Sequence, residues 1–407
     1  MNQIEDKQYE QISISHFPNS TLIELPADYR KILFGMIHIE NTTVAKINKR
    51  LTSLSLKENF SRWRGGYDGA TSALIPLKPF LELHKNITIT RNRLLECVTT
   101  INSQIANHRE RIPKSKEIMF LIISIRTIFQ GNNALAAKLR ITPNKLRCYV
   151  RNQGTKTLPK CFVEDLIKFA EEKILCYSFS YEEIQNNILS YKAHHGKKII
   201  PCFEGKRTIP IMVTPEFESI IFHLMGDGHV RSIGSSEYTQ INAKNRKNFL
   251  YKLFNSFGDF EIPENSYADG RVLIPKIIIN IICDHYSVSY DDFKWNVSKM
   301  PLNLHHDVSF KVAALSAFIV DEGHVSNRGI ELYSSNKSLL SYMRNIVLDL
   351  DLFCSLIKNK KPHGSTKESY RFRIPKESSV KFLRMVELLE KEFPYCGLGC
   401  KQGRLFL

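Results

Sequence analysis

The sequence predicts an α+β protein in which one helix-and-strand unit occurs twice, preceded by a mainly helical N-terminal half. Two observations predict this architecture. An apolar run that ends in an acid, a glycine, a histidine and a valine is found at 220–230 and again at 315–325. A stretch without any acid, between Glu117 and Glu164, has the pattern of two short helices joined by a turn.

The composition indicates a polyanionic partner. The 407 residues include 57 Lys and Arg against 41 Asp and Glu, a formal net charge of +16, which is typical of proteins that bind nucleic acid or an anionic surface. The apolar stretches are far shorter than the roughly 20 residues of a bilayer span. The N-terminus lacks the basic start and apolar run of a secretory signal. We therefore expect no membrane contact and a cytoplasmic, nucleoid-associated location.

The cysteines do not indicate a zinc site. There are nine of them, scattered along the chain, so they cannot all pair. Cys396 and Cys400 lie closest together, but no second pair and no neighbouring His accompanies them, unlike the ligands of zinc ribbons and fingers. We expect reduced thiols.

The N-terminal half divides into segments at two Ile-Pro dipeptides. We place a polar segment at 1–25, a helical module at 26–113 and a basic helix-turn-helix module at 114–205. The two modules have a similar order of basic and apolar stretches, and Arg62 and Arg64, on either side of Trp63, are the expected DNA-binding residues of the first. A duplication and a coincidence both account for this similarity, because helix-turn-helix matches are weak on their own.

The basic module contains the predicted helix-turn-helix. Leu135 and Leu139, four residues apart, mark one face of a short helix. Thr142 as N-cap, with Pro143 at the first helical position, opens a second helix, the one that enters the major groove in such motifs. The bases expected to contact DNA are Lys138, Lys145, Arg147 and Arg151. The alternative is a basic, solvated helical hairpin.

The C-terminal half contains the stronger repeat. Asp227 and Glu322 end the two apolar runs and lie 95 residues apart. The flanks repeat as well, because residues 271–276 and residues 371–376 both start with Arg and end with Ile-Pro-Lys. We place the two repeats at 210–300 and 301–395, followed by a C-terminal tail at 396–407.

Each repeat is predicted to have the order helix, two strands, helix, two strands, helix. Thr214 and Pro215 open the first helix, which ends at Gly226 or Gly228, because Thr caps helices and Gly ends them. Alternating polar and apolar residues predict the strands. The other helices are predicted at 245–257, 276–286, 307–320, 337–350 and 376–393, and the strands at 238–242, 330–334, 353–360 and 370–374. The second strand pair of the first repeat is fainter.

The two runs resemble the motif of the LAGLIDADG homing endonucleases, in the single-chain form with two motifs, and the resemblance covers both repeats. It implies a duplicated αββαββα fold in a monomer, with two motif helices side by side at a pseudo-twofold interface. It also implies that the penultimate acid of each motif, here Asp227 and Glu322, reaches the active site. The chain departs from the family motif at the sixth position, where Met225 and Val320 replace Asp, and Asp321 follows at the seventh.

The positions of the two acids favour a metal site. Each lies at the C-terminal end of a predicted helix, the negative end of the helix dipole, which is unfavourable for a carboxylate. A divalent cation removes this conflict, because Mg²⁺ prefers hard oxygen ligands. We expect Asp227 and Glu322 to be catalytic and to bind Mg²⁺ or another divalent cation such as Mn²⁺. The alternative is that Asp-Gly and Glu-Gly are ordinary turns, and that His229 and His324 merely start strands.

Polar residues on the predicted strands form faces suited to DNA, where Arg and Gln read base edges and Lys binds phosphate. The expected DNA-binding residues are Gln240 and Asn242, on one face with Tyr238, and Lys358, Lys360, Arg371 and Arg373. A simple polar outer face is the alternative.

Lys276 and Lys376 repeat in register, each directly after a Pro. They are candidate catalytic residues that would polarise a phosphate or a water. The alternative is that both are solvated lysines.

These features together predict a free-standing, metal-dependent endonuclease that hydrolyses phosphodiester bonds at a specific site in double-stranded DNA. The alternative is a non-catalytic DNA-binding transcriptional regulator with the same fold. An intein fits poorly, because splicing needs a nucleophile at the first residue and a His-Asn pair at the downstream junction. The chain starts with Met1-Asn2 and ends at Leu407, so we expect no splicing partner.

Overall fold

The chain forms two compact units in the computed structural model. The N-terminal unit is Asn19–Tyr191, and the C-terminal unit combines Met1–Pro18 with Lys192–Leu407. The residues that the structure describes are 9–19, 21–41, 74–129, 131–151, 156–193, 200–201, 209–293, 300–301, 303–360 and 368–405. Arg62 and Arg64, the expected bases of the first helical module, lie outside these residues. Both units contain helices and strands, so the predicted α+β class is confirmed.

The N-terminal unit is mainly helical. Its helices are α1 (Ala27–Asn41), α2 (Leu77–Ala106), α3 (Lys116–Ile128), α4 (Asn132–Lys138), α5 (Pro143–Val150), α6 (Lys160–Ala170), which continues as a π-helical turn (Glu171–Leu175), and α7 (Tyr181–Asn186). Two short antiparallel strand pairs accompany them: β2 (Thr21–Glu24) with β3 (Ile75–Pro76), and β4 (Arg111–Pro113) with β5 (Thr157–Pro159). Buried apolar side chains such as Phe34, Phe80 and Leu121 form the core of this unit. Strand β6 (Ser190–Ala193) begins at the end of this unit, and β7 (Ile200–Pro201) belongs to the C-terminal unit.

The predicted helix, turn and helix of the basic module are confirmed as α4 and α5. The Thr142 hydroxyl accepts a hydrogen bond from the Lys145 backbone N–H, as an N-cap does, and Pro143 occupies the first turn. Arg140 has a φ of 52°, which lets the chain reverse between the two helices. Leu146 is fully buried, so α5 packs one face and leaves the other in solvent.

The C-terminal unit contains both repeats. The first repeat comprises α8 (Pro215–Met225), β9 (Gly228–His229), β10 (Ser236–Thr239), α9 (Ala243–Phe257), α10 (Glu264–Ala268), β11 (Arg271–Ile274) and α11 (Lys276–Tyr286). The second comprises α12 (Val308–Glu322), β12 (Gly323–Ser326), β13 (Gly329–Ser334), α13 (Lys337–Asp349), β14 (Lys358–Lys360), β15 (Ser369–Pro375) and α14 (Lys376–Glu392). Strand β1 (Glu10–Ile12) pairs antiparallel with β8 (Ile211–Val213) in the same unit. Short 3₁₀ helices lie at Ile14–His16, Tyr290–Phe293 and Gly399–Leu405.

The two motif helices, α8 and α12, pack directly against each other. Every residue of α8 is buried, including its polar residues, and so is α12 from Val312 to Val320. Gly226 permits the close approach: a Cβ added there would lie 2.9 Å from the Cβ of Asp321. The helix ends that carry Asp227 and Glu322 therefore meet.

The two sheets are built in the same register. One sheet has the strand order β11-β10-β9 and the other β12-β13-β15-β14. The equivalent cross-strand pairs are Glu237–His229 and Glu331–His324, then Thr239–Arg271 and Tyr333–Arg371. The sequence repeat is thus accompanied by a repeat of hydrogen-bonded pairs.

Three predicted elements differ from those observed. In the first repeat, the second strand pair is replaced by α10 and β11, because Pro263 has no N–H for a strand ladder and precedes a helical turn. In the second repeat, β14 starts only at Lys358 instead of 353. Helix α12 continues to Glu322 instead of ending at 320, because the chain leaves the helix only at Gly323.

Within the described residues, no single helix is both long and apolar enough to cross a bilayer; one sharply bent pair, α3 with α4, passes that test by length and composition alone.

Candidate acidic site

The two motif acids lie where the motif helices end. Asp227 follows Gly226, the C-cap of α8, and Glu322 is the last residue of α12. Gly228 and Gly323 come next and begin strands that leave the helices at once. A Cβ on Gly228 would lie 2.3 Å from the carbonyl oxygen of Leu224, and one on Gly323 would lie 2.6 Å from that of Ile319. Glycine at these positions is what places each acid at the helix end.

A third carboxylate, Asp321, precedes Glu322 in the last turn of α12 and packs against Gly226. Its side chain is fully buried and accepts hydrogen bonds from the Tyr238 hydroxyl at 2.6 Å and from Nδ1 of His223 at 2.9 Å. Sequence reasoning placed Asp321 in the motif without assigning it a role. The sequence did contain a signal for this role, because His223 and Asp321 are polar residues inside two otherwise apolar runs.

Burial makes all three carboxyls weak acids, and for Asp227 and Glu322 repulsion from neighbouring carboxylates adds to it. Burial, followed by the charge of Asp321, raises the pKa of Asp227 to about 7. Burial, followed by Asp227 and Asp321, raises the pKa of Glu322 to about 7. Burial also raises the pKa of Asp321 to about 7, against the opposing effect of its hydrogen bond from Tyr238. The site therefore concentrates negative charge that favours a cation.

We expect this site to make the metal-free protein less stable as the pH rises. Unfolded carboxyls titrate near pH 4, whereas these titrate near 7 when folded, so the folded state binds more protons between these values. The contribution to the free energy of unfolding is full below about pH 4 and is lost as the pH rises through about 7. Thermal unfolding in EDTA at pH 5 and pH 8 measures this. The drop in Tm should shrink in the Asp227→Asn/Glu322→Gln double variant, and an equal drop in both proteins would contradict the expectation.

A lysine of the C-terminal tail acts electrostatically on the acids. Lys401, in the 3₁₀ helix Gly399–Leu405, donates from Nζ to the carbonyl oxygens of Ile319 at 2.9 Å and Gly323 at 2.6 Å. Its charge lowers the pKa of Asp227, Asp321 and Glu322. Burial lowers the pKa of Lys401 itself, and Asp321 opposes that effect.

The tail is held in place by hydrogen bonds. The Cys400 backbone N–H donates to Oδ1 of Asn245 at 3.0 Å, and Gln402 donates to Glu390 at 2.8 Å. Sequence reasoning assigned the tail no role, and no periodicity or motif in it could have shown that Lys401 reaches the acids.

Replacing Lys401 with Met should destabilise the protein more at pH 8 than at pH 5. At pH 8 the acids are ionised and lose the charge that offsets them, whereas at pH 5 they are protonated. A hydrogen-bonded charge contributes about 1.5–3 kcal/mol. Lys381→Met is the matched control, because Lys381 also donates to a backbone carbonyl, that of Asp351. Thermal unfolding that shows the same loss for Lys401→Met at both pH values would contradict this role.

The predicted polar face of the first repeat is wrong in its geometry. Tyr238 is fully buried on the core side of β10, while Glu237 and Thr239 occupy the outer face. The tyrosine ring packs in the core and its hydroxyl is satisfied by Asp321, so it does not behave as a surface polar residue. The strand ends at Thr239, so Gln240 and Asn242, the other two residues of the predicted face, lie beyond it.

Gln240 and Asn242 both lie in the turn after β10. The Gln240 side-chain amide donates to Oδ2 of Asp227 at 3.0 Å, so it belongs to the acidic site. The side-chain Oδ1 of Asn242 caps α9 by accepting from the backbone N–H groups of Lys244 and Asn245. The contact of these two residues with DNA stays a prediction. For Asn242 that contact would compete with the hydrogen bonds by which its side chain caps α9.

Three of the four bases predicted for the second repeat share one face of its sheet. Lys358 lies opposite Arg371, and Arg373 lies two residues further along β15 on the same side. Arg371 forms an ion pair with Glu331 at 2.9 Å. The other face of the sheet carries Phe372 and is buried. The side chain of Lys360 lies outside those that the structure describes.

The first repeat has an equivalent base that sequence reasoning did not assign to DNA. Arg271, in the position of Arg371, lies 3.7 Å from Glu237, in the position of Glu331. The repeated flank that starts with Arg was the signal for it.

The two lysines after Pro are exposed at the starts of α11 and α14. Nζ of Lys276 donates to the carbonyl oxygen of Ser232 at 2.8 Å, in the loop before β10. The catalytic role of Lys276 and Lys376 stays a prediction, and the structure brings Lys401 to the acids instead.

In the N-terminal unit, the four bases of the helix-turn-helix, Lys138, Lys145, Arg147 and Arg151, are all exposed. Arg147 donates to Oδ1 of Asn144 at 3.0 Å on the same helix. Three of these bases, Lys145, Arg147 and the C-cap residue Arg151, belong to α5 and its end, so this helix presents positive charge to solvent.

The donor set of the acidic site suits a hard cation that is completed by other ligands. Among the described residues, no three His, Cys, Asp or Glu side chains form a metal-binding group, and Asp321 is committed to Tyr238 and His223. Asp227 and Glu322 leave further positions for water and substrate oxygens. Mg²⁺ binds in this manner, through one or two carboxylates together with phosphate.

Comparison with known proteins finds no family model that matches this chain and no curated protein that matches it. What the protein does is therefore inferred from its own residues.

Proposed function

We propose that this protein is a metal-dependent endonuclease of the LAGLIDADG type that hydrolyses phosphodiester bonds in double-stranded DNA. One observation carries the proposal: two packed helices, one from each repeat, end in Asp227 and Glu322, and these acids interact electrostatically in a buried, negatively charged site. Acids without such a function would be costly to bury together. The repeated strand register supports a duplicated fold with pseudo-twofold symmetry in a monomer.

The residues of the site have distinct roles in the proposed reaction. When bound, Mg²⁺ or Mn²⁺ supplies Lewis-acid stabilisation of charge on the phosphate and lowers the pKa of an attacking water. Asp227 and Glu322 hold the cation through carboxylate oxygens. The Gln240 amide orients the Asp227 carboxylate by donating to one of its oxygens. Lys401, hydrogen-bonded to the carbonyl oxygens at the end of α12, offsets the charge of the acids.

The surfaces of both units support a DNA substrate. In the C-terminal unit, Arg371, Arg373 and Lys358 share the solvent face of a sheet, and Arg271 occupies the corresponding face of the other. In the N-terminal unit, the exposed bases of α5 suit a helix in the major groove. The net charge of +16 agrees with a polyanionic substrate.

The proposal is tested by exposing a library of double-stranded DNA to the purified protein with Mg²⁺ or Mn²⁺ and sequencing the new ends. We expect ends at one recurring sequence with the wild type, and none in EDTA or with the Asp227→Asn/Glu322→Gln variant. Ends that also appear with the double variant would indicate a contaminating nuclease and overturn the proposal.

A DNA-binding regulator is the second candidate, and Lys401 favours it. Its ammonium group supplies positive charge to the acids without a metal, as a protein that no longer cuts would need. Enrichment of one bound sequence from the same library, with no ends under either metal, would support the regulator.

We expect the basic face of the second repeat to contribute to DNA affinity through phosphate contacts. The triple variant Lys358→Ala, Arg371→Ala and Arg373→Ala should reduce the slope of log Kd against log salt by about two to three, because each neutralised phosphate contributes about 0.9. Fluorescence anisotropy over a salt series measures this slope. The control removes three exposed bases of α14 instead: Lys381→Ala, Arg384→Ala and Lys391→Ala. Equal slopes for both triple variants would contradict the assignment.

A further inference from the structure

The turn between β10 and α9 presents an apolar side chain beside the acidic site. Ile241 is 92 % exposed, the largest exposed fraction of any bulky apolar residue in the described part of the chain. Its neighbour Gln240 donates from the side-chain amide to Oδ2 of Asp227 at 3.0 Å. Ile241 therefore directly adjoins a residue that contacts a carboxylate of the acidic site.

Hydrogen bonds hold this turn in one shape. The Gln240 backbone N–H donates to the carbonyl oxygen of Gly270 at 2.8 Å. Nη1 of Arg246 donates to the carbonyl oxygens of Gln240 at 2.8 Å and Ile241 at 3.1 Å. Arg246 is itself buried, and its guanidinium carbon lies 4.7 Å from the centre of the Tyr267 ring. The turn thus holds Ile241 in position before any partner binds, which lowers the cost of binding.

Ile241 extends the outer face of β10. Thr239 occupies that face, because side chains alternate along a strand and Tyr238 before it is buried. Arg271, one of the bases proposed to contact DNA, lies opposite Thr239 on the next strand. The Thr239 backbone N–H donates to the carbonyl oxygen of Asp227 at 3.1 Å, so the acid lies at this end of the face. A DNA duplex placed on the bases and the acids would therefore cover Ile241.

Neither the core nor the chemistry of turns accounts for an isoleucine at this position. Turns are usually formed by Gly, Pro, Asn, Asp or Ser, and β-branched residues favour strands. The N-caps Asn242 and Asn336 align the equivalent turn of the second repeat, where Ser335 replaces Ile241. Single exposed apolar residues are common on protein surfaces. This one differs from them because a braced turn holds it beside a proposed reaction centre.

The side chain of Ile241 suits the bases of DNA and not the phosphates. Phosphate oxygens are bound by charged or hydrogen-bonding groups, and a hydrocarbon side chain has neither. Isoleucine is one of the apolar residues that enter between neighbouring base pairs, where they unstack the step and kink the duplex. A rigid turn favours such an insertion, because the side chain must keep its place against the stacking of the bases.

We propose that Ile241 is an apolar wedge that inserts between two neighbouring base pairs of the bound duplex, beside the acidic site, and unstacks them. Ile241 binds the substrate and takes no part in metal binding or proton transfer. The inference rests on the proposed function for its substrate, double-stranded DNA. Its tests measure binding without metal, so that the wedge and the cleavage reaction can fail separately.

The first test measures the affinity for the cognate duplex, the sequence that recurs in the library, by fluorescence anisotropy in EDTA. Ile241→Ser copies the turn of the second repeat and should reduce the affinity about tenfold. The slope of log Kd against log salt should stay unchanged, because the wedge neutralises no phosphate. Ile241→Leu keeps a hydrocarbon side chain and should retain most of the affinity. Wild-type affinity in Ile241→Ser, or an equal loss in Ile241→Leu, would overturn the proposal.

The second test detects the unstacked step directly. 2-Aminopurine, whose fluorescence rises when it leaves the base stack, replaces adenine at successive positions of the cognate duplex. We expect a rise at one step with the wild type in EDTA and none with Ile241→Ser. Ile233→Ser is the matched control, because Ile233 is 87 % exposed but lies in the loop before β10, and it should keep the rise. A wild-type complex without any rise, or a rise that persists in Ile241→Ser, would refute the wedge.

The outcomes separate the wedge from the endonuclease function. A duplex that is unstacked through Ile241 but is cut under neither metal refutes the endonuclease and supports the wedge in a DNA-binding regulator. Cleavage of a duplex that is never unstacked refutes the wedge alone. A protein that binds no duplex refutes both.

Discussion

Asp227→Asn and Glu322→Gln are each expected to reduce DNA cleavage by about 10³-fold or more while leaving DNA affinity within a few-fold. An amide cannot replace a carboxylate as a ligand for a hard cation. Affinity should persist, because the bases expected to contact phosphate, such as Arg371 and Arg373, lie on strands and not at the helix ends. Cleavage of a labelled cognate duplex and anisotropy in EDTA measure the two effects.

The same substitutions should raise stability in the absence of metal. Burial raises the pKa of both residues. Each substitution removes one buried carboxylate charge, so Tm at pH 8 in EDTA should increase. The controls Asp284→Asn and Glu387→Gln make the same chemical change at exposed positions of the same unit. They should leave cleavage and Tm nearly unchanged. Loss of cleavage together with a lower Tm would instead point to misfolding as the cause.

Gly228→Ala and Gly323→Ala are the second pair of substitutions with a large expected effect. The new Cβ would lie 2.3 Å from the backbone carbonyl oxygen of Leu224 in Gly228→Ala, and 2.6 Å from that of Ile319 in Gly323→Ala. Both oxygens belong to the preceding helix turn. Backbone atoms cannot rotate away as a side chain can, so the strand and the adjoining acid must shift. Overpacking of this kind costs about 1–3 kcal/mol, and a shift of about 1 Å at the acid is expected to reduce cleavage about 10²-fold.

Chemical denaturation and cleavage rates test both consequences. Gly403→Ala is the control, because a Cβ there meets no atom within 4 Å. Gly228→Ala and Gly323→Ala variants with unaltered stability and cleavage would show that the helix-to-strand turn tolerates a side chain, and that the position of the acids does not depend on these glycines.

Much of the local structure was predictable because its signals are local. Thr214 and Pro215, like Thr142 and Pro143, open helices where their capping chemistry indicates. The repeated acid-Gly-His-Val pattern correctly placed Asp227 and Glu322 at helix ends. Where a local signal was ambiguous, the prediction failed. Tyr238 was assigned to the outer face for its hydroxyl, although its ring is buried.

The apolar face predicted for the same strand was misleading as well. Ile241, which fits an apolar face, is 92 % exposed because the strand ends before it. Pro263 likewise turned an expected strand into a short helix and a turn. In each case the error lies at an element boundary, where one residue decides the face of every side chain that follows.

The sequence by itself determined the duplication, the class of the fold, the helix caps and the two acids at the helix ends, because each depends on residues within a few positions of one another. Only the tertiary structure decided which groups surround those acids. Lys401 is 79 positions from Glu322 in the chain, and Tyr238 is 83 from Asp321. Such side chains meet because two buried helices pack closely at Gly226 and the tail folds back onto α12. No local propensity encodes contacts of this range, since they result from the packing of the whole unit.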